Sequence, residues 1–148
     1  MKTIMLGLFL CAVTMAFAQD PVHWNYSLKK IDAKNYEVHA TATMDAGWHI
    51  YAQTQPSSAI AVPTKIIFTK NPFLVFNGKV KGIGKIEKQV IKEAGIEQNM
   101  YENNADFVQL ITLKGSVKTS VNGNITYQAC TNEMCLPEKT ISFIIPIE

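Results

Sequence analysis

Tyr36-Glu37-Val38-His39-Ala40-Thr41-Ala42-Thr43-Met44 decides the fold class. Apolar Tyr36, Val38, Ala40, Ala42 and Met44 alternate with Glu37, His39, Thr41 and Thr43, the period of a strand with one buried face. Turn residues bracket the run, with Asp32-Ala33-Lys34-Asn35 before it and Asp45-Ala46-Gly47 after it. Working outward, further strand segments are predicted at residues 23–29, 48–53, 64–69, 107–114, 124–129 and 140–145. Asn122-Gly123 reads as a hairpin turn between a segment at 116–121 and the strand leading to Cys130. Residues 86–104 break the pattern. Glu87, Lys88, Gln89, Lys92 and Glu93 favour helix, Ile86, Val90 and Ala94 stand at helical spacing, and Gly95 is a stop signal. A strand end or short helix followed by a loop over 98–104 is expected there. Many short strands with turn residues between them predict an all-β fold, an immunoglobulin-like antiparallel β-sandwich in one domain.

The first eighteen residues read as an export signal: Lys2, a short apolar run from Ile4 to Val13, and the small-x-small site Ala16-Phe17-Ala18. The apolar run is too short for a membrane helix. The expected organisation is therefore a cleaved signal at 1–18 and one domain at 19–148, exported to the periplasm and not an integral membrane protein. Without the signal, thirteen lysines stand against twelve acidic residues, and the chain contains no arginine. Guanidinium forks for phosphate are absent and the balance is near neutral, which argues against nucleic acid as a partner.

Removing the signal also removes Cys11 and leaves two cysteines, in Tyr127-Gln128-Ala129-Cys130-Thr131-Asn132-Glu133-Met134-Cys135-Leu136-Pro137-Glu138. An even pair in an exported chain points to a disulfide. The apolar-rich flanks on either side place it at the tip of a hairpin. By chain entropy, closing a loop of about 6 residues contributes only roughly 2 kcal/mol, so the bond is a weak staple. Two readings stay open on these residues alone: a pair that opens and closes in electron exchange, or a static disulfide in an immunoglobulin-like binding or structural domain. Glu133 and Glu138 are acidic and only Lys139 is a cationic neighbour, so the local sequence does little to activate a thiolate.

Gly47-Trp48-His49-Ile50-Tyr51-Ala52-Gln53-Thr54-Gln55-Pro56, Val62-Pro63-Thr64 and the Tyr127–Glu138 block resemble, in that order, the amino-terminal periplasmic domain of the thiol:disulfide interchange protein DsbD. The resemblance spans nearly all of residues 19–148. It implies an immunoglobulin-like sandwich whose two cysteines pass electrons to oxidised periplasmic proteins. Cys135 would form the mixed disulfide with partners and Cys130 would resolve it. By the same resemblance Met100 and Tyr101 would cap the sulfurs, and His49 and Tyr51, which flank Ile50 and share a face, would support them. Four residues separate the cysteines here, against five in the best-known members. Family members also carry a membrane-embedded carrier and a thioredoxin-like domain, which this sequence lacks. A separate thioredoxin-like or membrane-embedded redox protein is therefore the expected electron donor.

No other chemistry is indicated. His23, His39 and His49 fall on different predicted strands with no zinc spacing, so no metal is expected. Gly82-Ile83-Gly84 lacks the remainder of a phosphate loop, and no serine has a plausible triad. No cofactor is expected.

Overall fold

The computed structural model describes residues 20–148. The signal at 1–18, with Cys11, and the boundary at residue 19 lie outside the described residues. Eleven strands follow in order: β1 (Val22–Lys30), β2 (Asn35–Met44), β3 (His49–Tyr51), β4 (Lys65–Phe68), β5 (Leu74–Ile83), β6 (Ile86–Ile91), β7 (Ile96–Glu102), β8 (Asn104–Leu113), β9 (Thr119–Tyr127), β10 (Ala129–Cys130) and β11 (Lys139–Ile147). They form three antiparallel sheets, ordered β1-β2-β8-β5, β10-β3-β7-β6 and β11-β9-β4. The chain is all-β, an immunoglobulin-like sandwich.

β2 is the alternating run, and its five apolar residues are all buried. The turn before it is closed by Asp32, whose Oδ1 accepts the backbone N–H groups of Lys34 and Asn35, each at 2.9 Å. β8 alternates in the same sense, burying Ala105, Phe107, Ile111 and Leu113. The inner face of this first sheet packs on Val121, Ile125, Tyr127, Phe143 and Ile145 of the β11-β9-β4 sheet in one continuous core. Aromatic rings line and bridge the gap. Trp24 lies 5.8 Å from Phe107 and 5.4 Å from Tyr127, and Tyr26 stacks on Phe143 at 5.1 Å.

Two expectations fail. Of the two alternatives at the start of residues 86–104 the strand is the one found, but the expected loop over 98–104 is not. The segment makes the β6–β7 hairpin, turned by a short 3₁₀ segment at Lys92–Ala94. Gly95 does stop that segment, at φ 64°, with its N–H donating to the Lys92 carbonyl at 3.2 Å. Ile86 and Val90, the supposed helical stripe, are both about half exposed, so no helix face exists to bury. Ladder pairing with β3 through β7 outweighs the helix propensity of the charged residues. Nor is Asn122-Gly123 a turn. β9 runs straight through it, with Gly123 opposite Phe143 on one side and Phe68 on the other. A Cβ at Gly123 would meet Phe143 Cζ at 2.6 Å and the Ile67 carbonyl oxygen at 2.7 Å, so the glycine is there for close packing.

The second sheet is assembled from both layers. β2 passes into β3 through the Asp45–Trp48 turn, where the Trp48 N–H donates to the Asp45 carbonyl at 3.0 Å. β7 passes into β8 through Asn103, at φ 65°. From the opposite layer β9 passes through Gln128 into β10, which pairs with β3. Cys130 therefore stands where the two layers of the sandwich are joined.

Candidate functional site: a cross-strand cysteine pair

Cys130 and Cys135 are joined in a disulfide with their Cα atoms 4.0 Å apart. They oppose each other as an antiparallel bridge. On one side of the pair the Thr131 N–H donates to the Met134 carbonyl at 2.7 Å, and on the other the Leu136 N–H donates to Ala129 at 2.9 Å. The cysteines thus occupy the non-hydrogen-bonded site of a small hairpin, where opposed side chains approach most closely. Thr131 shapes the turn, its hydroxyl accepting the N–H groups of Glu133 at 3.2 Å and Met134 at 3.1 Å. Gln128 Nε2 ties the returning limb by donating to the Leu136 carbonyl at 3.1 Å.

The two sulfur-bearing residues differ in access. Cys130, on β10, is 0% exposed, whereas Cys135 is exposed. The reason is topological: Cys130 is laddered to β3, while Cys135 is bridged to Cys130 alone. The register Cys130↔His49, His49↔Glu102 and Tyr51↔Met100 puts these five residues on one face of the second sheet. Tyr51, Met100 and Cys130 pack as a small apolar cluster, with Ala61 against it. His49 is 1% exposed, its ring edge-on to that of Tyr51, with Nε2 3.4 Å from the phenol oxygen. Burial pushes the His49 imidazole pKa down, with the Glu102 carboxylate pulling weakly the other way, so the ring is neutral at neutral pH. Burial raises the Tyr51 phenol, offset in part by the Gln98 amide beside it.

Four of the expected site residues therefore surround Cys130 or bond to it: Cys135, His49, Tyr51 and Met100. Tyr101 is placed elsewhere. It follows Met100 on β7, so its ring points through the sheet to the main core, edge-on to Phe107 at 6.0 Å and against Gly82 and Gly84. Consecutive residues of a strand cannot cap the same sulfur, and reading 98–104 as a loop concealed this. Lys139, the cation nearest in sequence, is engaged with Asp20 at 2.6 Å. The other histidines stand apart, His23 at 3.0 Å from Asp45 and His39 donating from Nδ1 to Asp106 at 2.7 Å.

A groove of about 300 Å³ opens beside Cys135, walled by the 131–134 turn, Tyr51, Gln98, Ile60 and Ile91. Gln98, Ile60 and Ile91 carry no catalytic signature, and the sequence offered no cue to them. A larger hollow, about 900 Å³, lined by Phe68, Phe76 and Tyr101 among others, contains neither cysteine.

No family model and no curated protein matches this sequence. Solved structures do. The N-terminal periplasmic domain of ScsB from Proteus mirabilis superposes with a TM-score of 0.61 at 16% identity, over 90% of this chain and 49% of that one. A chain of the complex between the DsbD N-terminal and PilB N-terminal domains from Neisseria meningitidis superposes with a TM-score of 0.51 at 16% identity, over 82% of this chain and 80% of that one. The chain spans about half the length of the ScsB chain it matches. Among the described residues no helix is long and apolar enough to cross a membrane. This sandwich, with its disulfide on a hairpin where the layers join, has the fold of the N-terminal periplasmic domains of ScsB and DsbD.

Proposed function

We propose that the protein is an exported thiol–disulfide exchange module, passing electron pairs through Cys130 and Cys135 to oxidised periplasmic proteins. The carrying observation is the asymmetry of the bond: one sulfur-bearing residue is sealed in the sheet and the other exposed beside a groove. A donor thiolate attacks Cys135 Sγ, the 130–135 bond breaks, and Cys130 leaves as a thiolate that takes up a proton. The donor's second thiolate then attacks the donor's own sulfur in the mixed disulfide and releases Cys135, so two electrons have entered. In the reverse half-cycle the Cys135 thiolate attacks a client disulfide. Cys130 then attacks Cys135 Sγ, restoring the internal bond and releasing the reduced client.

Neutral Tyr51, packed on Cys130 with its phenol held protonated, is the hydroxyl available to the buried sulfur when it leaves as an anion. His49 holds that phenol in place, and Met100 keeps water from Cys130. The donor would be a separate thioredoxin-like or membrane-embedded redox protein. The DsbD N-terminal domain, of the same fold, is found in complex with the PilB N-terminal domain, and another protein domain is the kind of partner such a site would take.

Equilibration in glutathione redox buffers, read by thiol alkylation, tests the proposal. A reduction potential within roughly −120 to −270 mV supports turnover. One below about −300 mV marks a permanent staple and favours the static binding-domain reading.

A further inference from the structure

Opening the bond leaves a charge to be compensated. Cys130 departs as an anion, and it is a residue with no solvent exposure. Among the described residues that line the neighbouring groove none is a lysine, and Glu133, which is charged, is itself an anion. Lys139 is held by Asp20. The Tyr51 hydroxyl can hydrogen-bond the sulfur but brings no charge. An unpaired anion in such a place is costly, so its partner has to be a group that can become positive. His49 is that group. It stands directly across the β10–β3 ladder from Cys130, so both side chains project from one face with Cβ atoms about 4.5–5.5 Å apart. It is 1% exposed, with its ring edge-on to Tyr51, which itself packs on Cys130. On its other flank His49 opposes Glu102, an exposed carboxylate that favours the imidazolium. The titratable groups facing the ring are therefore Cys130 from β10, Tyr51 from its own strand and Glu102 from β7, with Cys135 bridged beyond Cys130.

Resting on the exchange reading above, we infer that His49 is the proton-holding partner of Cys130: the reduced protein shares one proton between the Cys130 sulfur and the His49 imidazole, as a thiolate–imidazolium pair. The donor's thiolate bonds to Cys135 Sγ, the electron pair of the broken bond goes to Cys130, and a proton from water enters at His49. A second proton goes to Cys135 once the donor is released, so two electrons and two protons have been gained. On reoxidation the Cys130 thiolate is already formed for its attack on Cys135 Sγ, and the imidazolium returns its proton to water. With the disulfide closed the anion is gone, and burial returns the ring to neutral.

Nuclear magnetic resonance titration of the histidine Cε1–H signals tests this without altering a residue, on the oxidised protein and after reduction with tris(2-carboxyethyl)phosphine. The His49 midpoint is expected to rise by at least about one pH unit on reduction, the scale on which an adjacent opposite charge acts. His23 and His39, paired with Asp45 and Asp106, are internal controls whose midpoints should stay in place. A matching change is expected at the sulfur. Read by ultraviolet thiolate absorbance in the Cys135→Ser chain, Cys130 should titrate at least about one unit higher when His49→Gln is added. An equal His49 midpoint in the two redox states, or a Cys130 titration that His49→Gln does not move, overturns the proposal. A bond that the phosphine leaves closed overturns the exchange reading itself, which otherwise stands or falls on the glutathione potential.

Discussion

At the scale of single residues, Cys130 and Cys135 are not equivalent. Both belong to one bond, but Cys130 lies under Tyr51 and Met100 while Cys135 faces the groove. In-line attack needs access along the sulfur–sulfur axis, and on the function proposed above that access makes Cys135 the exchanging atom. Incubation with oxidised glutathione should therefore divide the single variants. Cys130→Ser should accumulate a stable mixed disulfide at Cys135, since nothing remains to resolve it. Cys135→Ser should form its adduct at least about tenfold more slowly, because the remaining thiol is buried. Mass spectrometry under non-reducing conditions reads both, and faster adduct formation at Cys130 would reverse the assignment. The cysteines, and the face shared by His49 and Tyr51, could be read from sequence, because spacing and strand period are local signals. Gln98 could not. A neutral amide becomes noticeable only when the fold places it on the wall of the groove beside Cys135.

At the scale of elements, legibility followed the strength of the alternating pattern. β2 and β8 bury one face each and read cleanly as strands. β5 was missed, since Lys79, Gly82 and a register shift between Asn77 and Lys81 erase its period. β6 stayed ambiguous between strand end and short helix because it is an edge strand whose residues include Glu87 and Lys88, and charge on an edge looks like helix propensity. The Asn122-Gly123 error has a sharper lesson: the dipeptide suits a type I′ turn, yet here it lies mid-strand beneath an aromatic ring. Alanine normally improves on glycine inside a strand by roughly 0.5–1 kcal/mol. Gly123→Ala should do the opposite. The new methyl would overlap Phe143 and the Ile67 carbonyl, and overpacking of this kind costs about 1–3 kcal/mol. Denaturant unfolding checks the sign, and a neutral or stabilised variant would mean that the β4-β9-β11 sheet has slack at this crossing.

For the whole molecule, the question is whether the fold needs its disulfide. The main core runs from Val22 to Ile147 and draws on all three sheets, and neither cysteine is part of it. The bond closes a loop with a sequence separation of 5, at the end of a hairpin already laddered by β9 and β11. Three of the edge strands discourage an added strand: β4 has four residues, β11 carries Pro146, and β5 is irregular. A carrier must remain folded in both redox states, or each turnover would unfold it. Reduction should accordingly lower stability by only about 2 kcal/mol, with far-UV circular dichroism unchanged. The expected outcome is a modest fall in the urea midpoint at constant slope, because the area exposed on unfolding is nearly the same. The static reading makes the opposite demand, that the bond hold the structure together. Cooperative unfolding on reduction, or loss of the native spectrum without denaturant, would therefore decide for a staple, because no domain can shuttle electrons through a state in which its own binding groove has disappeared.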